Sequence, residues 1–200
     1  MKADLGTHPV STGDPALFRT LAALEREMSA LLTLPSDRGG VALIVRRPHP
    51  GLRETPDRVL LTPDEGIVGE YWNRKPGVTV DSQITVMQAT IAELIANGQP
   101  LTLFGDNLFL DLDVSGANLP PGSRVRIGEA LLEVTPKPHT GCKKFSGRFG
   151  VDALRFVATP VGRARNFRGL YLRVLTAGEA APGDVVELIE RAAGLEEAPA

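Results

Sequence analysis

A chain of 200 residues, 42% hydrophobic and 23% charged, can bury a core without staples, and its single cysteine excludes an internal disulfide. No run approaches the roughly 20 apolar residues of a membrane helix, and Met1 to Val10 lacks a signal-peptide core, so a cytoplasmic protein is expected. The formal charge of −2 conceals a split: between Lys137 and Arg173 nine basic residues face one acid, Asp152, while the rest of the chain is acidic. Such a segment calls for an anionic partner, unless folding brings acids to it.

Taken in order, residues 1–13 carry Gly, Thr, Ser and Pro without periodicity and read as a tail. Asp14 as N-cap and Pro15 at the first helical position open a helix, with Leu17, Leu21, Leu24, Met28 and Leu31 along one face and an end at Thr33 to Pro35. That helix is expected to pack on the domain or to mediate a homodimer. From Gly39 the pattern changes to short apolar runs. Strands are expected at 41–45, 58–62, 78–80 and 84–87, with turns at Pro48-His49-Pro50-Gly51 and at Gly66 to Gly69. Met87 to Ala96 takes helical spacing and stops at Asn97-Gly98.

Further strands are expected at 101–104 and at 108–114, where Leu108, Leu110, Leu112 and Val114 share one side. Residues 123–127 and 130–134 form a hairpin across Gly128-Glu129, and 170–175 and 185–189 close the set. Many short strands with few helices and no evident βαβ alternation indicate a mostly β, barrel-like fold. The expected division is a tail and helix over 1–37, a barrel domain over 38–190 and a C-terminal tail over 191–200.

The chemistry concentrates at Pro138-His139-Thr140-Gly141-Cys142-Lys143-Lys144-Phe145. Adjacent cations and a helix N-terminus favour a thiolate, and Lys143 to Phe156 can open a short helix after the cysteine. The competing reading is a buried structural thiol. His139 is the candidate base, with a surface histidine as its alternative. Gly141 permits a tight turn. Three scattered histidines and one cysteine cannot build a zinc site, and no phosphate-loop, dinucleotide or GxSxG motif is present. One cysteine can nonetheless supply the sole protein ligand to a metal whose other ligands come from an organic cofactor. A phosphate on that cofactor would suit Lys143, Lys144, Arg148, Arg163, Arg165 and Arg168. The same thiol can instead carry a persulfide.

Gly66-Ile67-Val68-Gly69, Ile84 to Gln88, Gly105-Asp106-Asn107-Leu108, Leu119 to Gly122, Ile127 to Ala130, Arg168 to Tyr171 and Pro182 to Asp184 follow one another around Cys142. In that order they resemble the MOSC domain family, over about residues 38 to 190. The resemblance implies a barrel that binds the molybdenum cofactor (molybdopterin), with Cys142 as metal ligand or sulfur carrier and Asn107 at a polar motif position. It implies either reduction of N-hydroxylated small molecules or sulfur handling. Glu70 and Asp106 exchange the acids that many members carry, both keeping the charge. The chain has no room for a pyridoxal-phosphate desulfurase half and no evident electron-transfer domain. A separate redox partner or a cysteine desulfurase as sulfur donor is therefore expected. The alternative is a nucleic-acid-binding barrel, in which Phe145, Phe149, Phe156, Phe167 and Tyr171, interleaved with the cations, would stack bases.

Overall fold

The computed structural model describes residues 7–9, 12–29 and 34–193. Its strands are β1 (Thr7–Pro9), β2 (Arg38–Ile44), β3 (Leu52–Glu54), β4 (Val59–Thr62), β5 (Gly66–Ile67), β6 (Ile84–Gln88), β7 (Leu108–Leu110), β8 (Arg124–Ile127), β9 (Ala130–Val134), β10 (Leu170–Thr176), β11 (Gly178–Ala180) and β12 (Val185–Glu190). The helices are α1 (Leu21–Met28), α2 (Ala89–Ala96), α3 (Lys143–Phe149), α4 (Val151–Ala158) and α5 (Pro160–Ala164). Seven strands close a barrel in the order β10-β6-β7-β2-β12-β8-β9. The fold is mostly β, with the helices gathered outside the barrel. Among the described residues no helix is long and apolar enough to cross a membrane.

Inward-facing aliphatics, including Val41, Ile44, Leu108, Leu110, Val125, Ile127, Leu132 and Leu172, fill the barrel. Closure removes the edges that an open sheet would expose. A second apolar cluster lies on the outer face, where Met87 and Phe109 from the strands and Val45 just after β2 meet α1, α2, α3 and α4. Strands β6 and β7 are therefore buried on both faces. They pair in parallel, joined through α2, and form a βαβ unit where the sequence pattern suggests none. A strand covered on both sides reads as a continuous apolar run, which is how Ile84 to Met87 conceals it.

Other expectations change in instructive ways. The helix from Pro15 is interrupted: Asp14 caps a 3-10 turn over Pro15–Leu17, and Thr20 then caps α1 with its hydroxyl on Ala23 N at 3.3 Å. Phe18, extended between the two caps, packs on Gly150. Leu31 and the expected end at Thr33 lie outside the described residues, as do most of the N-terminal tail and residues 194–200 of the C-terminal one. The strands expected at 78–80 and 101–104 fold as 3-10 turns over Val80–Ser82 and Leu101–Leu103. In the second, Leu103 N and Phe104 N each reach back to a carbonyl at 3.0 Å, which removes them from any ladder. Leu112 and Val114 point into the barrel as the alternation requires, although β7 stops at Leu110. The stretch after Cys142 is two helices, because Gly150 at φ 89° ends α3 and starts α4.

That break sets the position of the cysteine. Phe145 and Phe149 on α3 pack with Phe104, whose ring stacks on Phe149 at 4.0 Å between centroids. Burying each such ring contributes about 1.5–3 kcal/mol. Helix α3 is thus pinned to the rim of the barrel by its apolar side, and its first turn faces a cavity.

Candidate functional site

The cavity at that rim has a volume of about 380 Å³ and is lined by segments far apart in sequence. Cys142 is exposed and occupies the N-cap of α3, with its carbonyl accepting from Ser146 N at 3.1 Å. Lys144 and Arg148 line the wall from the same helix, and Arg168 joins them from the approach to β10. The opposite wall comes from the other half of the chain: Arg47 after β2, Arg53 on β3, Tyr71 and Lys75. His49, Pro50 and Gly51 line it from the intervening loop.

Two of these six cations are balanced by acids buried behind them. Arg47 donates through Nε to Glu70 Oε1 at 2.6 Å, through Nη1 to the Gly105 carbonyl at 2.6 Å and through Nη2 to Asn107 Oδ1 at 2.8 Å. Glu70 Oε2 also accepts the Arg47 amide at 2.7 Å. Arg168 Nη1 donates to Asp106 Oδ2 at 2.8 Å, with its guanidinium over the Phe145 ring at 5.1 Å. Arg53, Lys75, Lys144 and Arg148 have no acid within salt-bridge distance among the described residues.

The electrostatics record that excess. Burial first, then the neighbouring charges of Arg47 and Arg148, push the Arg53 guanidinium down to about 10. The Lys75 ammonium is lowered by burial and then by Arg47. Arg148 is lowered by burial too, with Cys142 acting in the opposite direction, so the thiol and this guanidinium feel one another. Like charges crowded into a partly desolvated pocket raise its free energy, and an anion placed among them relieves it.

The residues singled out from the sequence separate into groups. Cys142, Lys144, Arg148 and Arg168 meet at this cavity. Lys143 is exposed at the start of α3 and lines no wall of it. Arg163 lines a second cavity and Arg165 lines neither; both stand on or beside α5, which turns them away. Asn107 is buried beneath the wall: its amide donates to Val45 O at 3.1 Å and to Glu70 Oε2 at 3.1 Å, and its oxygen also accepts from the Thr85 hydroxyl at 2.8 Å. It holds Arg47 in place and cannot itself touch a ligand. His139 is neither at the first cavity nor a surface histidine. It is buried against Tyr171 at 4.5 Å between rings and faces Asp106, and burial pushes its pKa down to about 4. Gly141 serves close approach, because a β-carbon there would run into Leu154.

Sequence reasoning misses Arg47, Arg53 and Lys75. They belong to the half that is acidic on balance, and several of the acids that mask them lie elsewhere on the surface. The Arg46-Arg47 pair before a Pro/Gly loop is the available signal, together with Glu70 after a double-glycine turn. Of the basic span, Arg155, Arg168 and Arg173 do pair with Asp152, Asp106 and Glu133. Phe145, Phe149, Phe156 and Phe167 are buried, which withdraws the stacking platform that a nucleic-acid reading requires.

A family model for the MOSC domain matches residues 77–187, more than half of the chain. Among curated proteins, an uncharacterized protein of Bacillus subtilis, YflK, is 32% identical over 88 residues, 44% of this chain and 37% of its own length. The chain thus spans well under two thirds of that relative. The crystal structure of YuaD from Bacillus subtilis aligns at a TM-score of 0.56 and 16% identity, over 75% of this chain and 94% of that one. That of YiiM from Escherichia coli aligns at 0.54 and 21% identity, over 78% and 71%. At such identities the likeness is one of fold.

Proposed function

The chain belongs to the MOSC domain family, and on that premise we propose that its cation-rich cavity binds the molybdenum cofactor, with Cys142 as the protein's ligand to the metal. The observation that carries this reading is convergence. The only cysteine and six cations reach one cavity from separate stretches of chain, and four of those cations lack an acid partner among the described residues. A phosphate-bearing pterin fits that donor set, because Arg53, Lys75, Lys144 and Arg148 can direct charge-assisted hydrogen bonds at phosphate oxygens.

When bound, the group supplies a redox-active metal able to take an oxygen atom from an N-hydroxylated substrate. What the chain contributes is position and charge. Glu70 and Asn107 fix Arg47, so its guanidinium contributes field at the cavity wall without wandering. The Phe104–Phe149 stack fixes α3 and hence the sulfur. Cys142 stands exposed at the start of α3 and opens on the cavity, where its sulfur could reach a bound metal. Electrons for turnover would come from a separate redox protein. The persulfide reading uses the same thiol, but it gives the four unpaired cations on the walls no ligand to bind.

The test is metal and pterin analysis of protein isolated from a host that makes the cofactor. The account expects stoichiometric molybdenum, lost in Cys142→Ala. Cyanide-labile sulfur on Cys142 without metal or pterin would establish the carrier role in its place.

A further inference from the structure

The segment that carries Cys142 has almost no backbone support. After β9, Thr135 N donates to the Tyr171 carbonyl at 3.0 Å, and the next backbone hydrogen bond runs from Ser146 N to the Cys142 carbonyl at 3.1 Å. Among the described residues, 136–141 form none. This strap passes between two cavities: Cys142 lines the cation-rich one, Pro138 to Gly141 line another of about 550 Å³, and Arg168 lines both. The second has Leu154, Val157 and Ala158 of α4 on its walls. A strap without backbone bonds takes its position from the side chains it buries. Residues 136–138 and 140 are exposed, and Gly141 offers only its backbone to Leu154. His139 is the one residue of 136–141 whose side chain goes inward, where it is 7% exposed and packs on the Tyr171 ring at 4.5 Å between centroids.

Below it stands Asp106, whose side chain is 1% exposed. Its Oδ2 accepts from Arg168 Nη1 at 2.8 Å, so the two charges beneath the second cavity balance. Its Oδ1 is buried with no partner, and so is His139 Nδ1, which faces that oxygen at 3.7 Å. Each of these atoms is the missing partner of the other. A carboxylate oxygen only accepts, so satisfaction of both atoms requires the ring proton on Nδ1. A shift of about 1 Å or less brings the pair to hydrogen-bond length. The other charges that act on the ring are Arg168 and Arg47, and with burial they keep it neutral against the pull of Asp106.

We propose that His139 is the positioning residue of Cys142: its ring, seated on Tyr171, donates through Nδ1–H to Asp106 and so anchors the strap that carries the sulfur. Asp106 then holds with one oxygen the arginine that both cavities share, and with the other the strap three residues before Cys142. The anchor sets where the sulfur stands among Arg148, Arg168 and Lys144 on the cavity wall. What the placed sulfur is used for rests on the cofactor reading; its placement by His139 does not.

The test compares alkylation of Cys142 by iodoacetate and by iodoacetamide in the metal-free full chain at low ionic strength. Both reagents attack the same thiolate, so the ratio of their rates cancels its abundance and reports the positive field at the sulfur. The ratio is expected to exceed that of glutathione by about threefold or more. His139→Leu removes the donor, and its ratio should fall to within about 1.5-fold of glutathione. His139→Asn, whose amide nitrogen is attached at Cγ as Nδ1 is, should keep more than half of the excess, and thermal melts confirm that both variants fold. A ratio in the unaltered chain equal to that of glutathione, an unchanged ratio in His139→Leu, or an equal fall in His139→Asn would each overturn the proposal. Nitrogen NMR of the unaltered chain needs no variant to fold: His139 should carry its proton on Nδ1, protected from solvent exchange, and a proton on Nε2 would contradict the anchor. Molybdenum analysis reads the other claim separately, since these results in a protein that never takes up metal uphold the anchor and remove the metal.

Discussion

The two cavities share Arg168 and the segment leading to Cys142, yet one is walled by uncompensated cations and the other by carbon over a neutral floor. The difference comes from what each side borrows. The first takes Arg47, Arg53 and Lys75 from loops and a strand end at the barrel rim, where water or a ligand can answer charge. The second takes Leu154 and Val157 from α4, residues that also belong to or pack against the outer apolar cluster. One segment thus separates a cavity lined by cations from one lined largely by carbon. A buried acid ties Arg47 into the scaffold, whereas Arg53, though buried and bonded to the Leu52 carbonyl, has no acid within salt-bridge distance among the described residues.

That distinction can be broken most severely at Glu70. Removing it in Glu70→Ala strands Arg47 and two of its donors in a buried site, and about 3–5 kcal/mol of stability should be lost. Urea denaturation reads this directly, and a loss below about 1 kcal/mol would contradict the scaffold role. By contrast, Arg53→Ala breaks no ion pair, so it should cost less stability than Glu70→Ala while weakening pyrophosphate binding by about tenfold or more. Calorimetric titration at fixed ionic strength separates the two behaviours, and equal pyrophosphate affinity would mean Arg53 is not free to bind.

His139 sharpens the comparison from the other cavity. Its folded pKa of about 4 lies below the ordinary 6.5, so the unfolded chain takes up the proton first as pH falls. Its contribution is present above pH 6.5 and is lost on the way down to 4, amounting to about 3 kcal/mol at most. Denaturation midpoints at pH 7 and pH 4.5 should therefore differ less in His139→Gln than in the unaltered chain. Parallel behaviour would place the histidine in contact with solvent. The smallest effect is expected at Lys143, which points away from both cavities: Lys143→Ala should alter pyrophosphate binding by less than about twofold, against a clear loss in Lys144→Ala.

Much of the barrel is legible in the sequence because its signals are local. The Gly128-Glu129 hairpin and the alternation from Leu108 to Val114 report their own geometry. What escapes depends on burial from a second side. Strand β6 and helix α2 are both expected, but their parallel return to β7 is not, and Leu101 to Phe104 looks like a strand until its amides turn back on themselves. The site divides in the same way. Cys142, Lys144, Arg148 and Arg168 stand close together in sequence and announce themselves as a group. Arg47 and Arg53 come from across the chain and carry no comparable mark. Asn107 stands out by its motif, but that it acts through Arg47 is visible only once Glu70 and Thr85 are beside it.

The central claim, that Cys142 is the protein's ligand in a cavity built for a phosphate-bearing metal cofactor, is tested most directly by X-ray absorption at the molybdenum edge of the loaded protein. The account predicts a metal–sulfur shell that loses one scatterer in Cys142→Ser, whose hydroxyl, unlike the alanine methyl, can still hold the metal, while the bound pterin remains. An identical shell in the two proteins would contradict it.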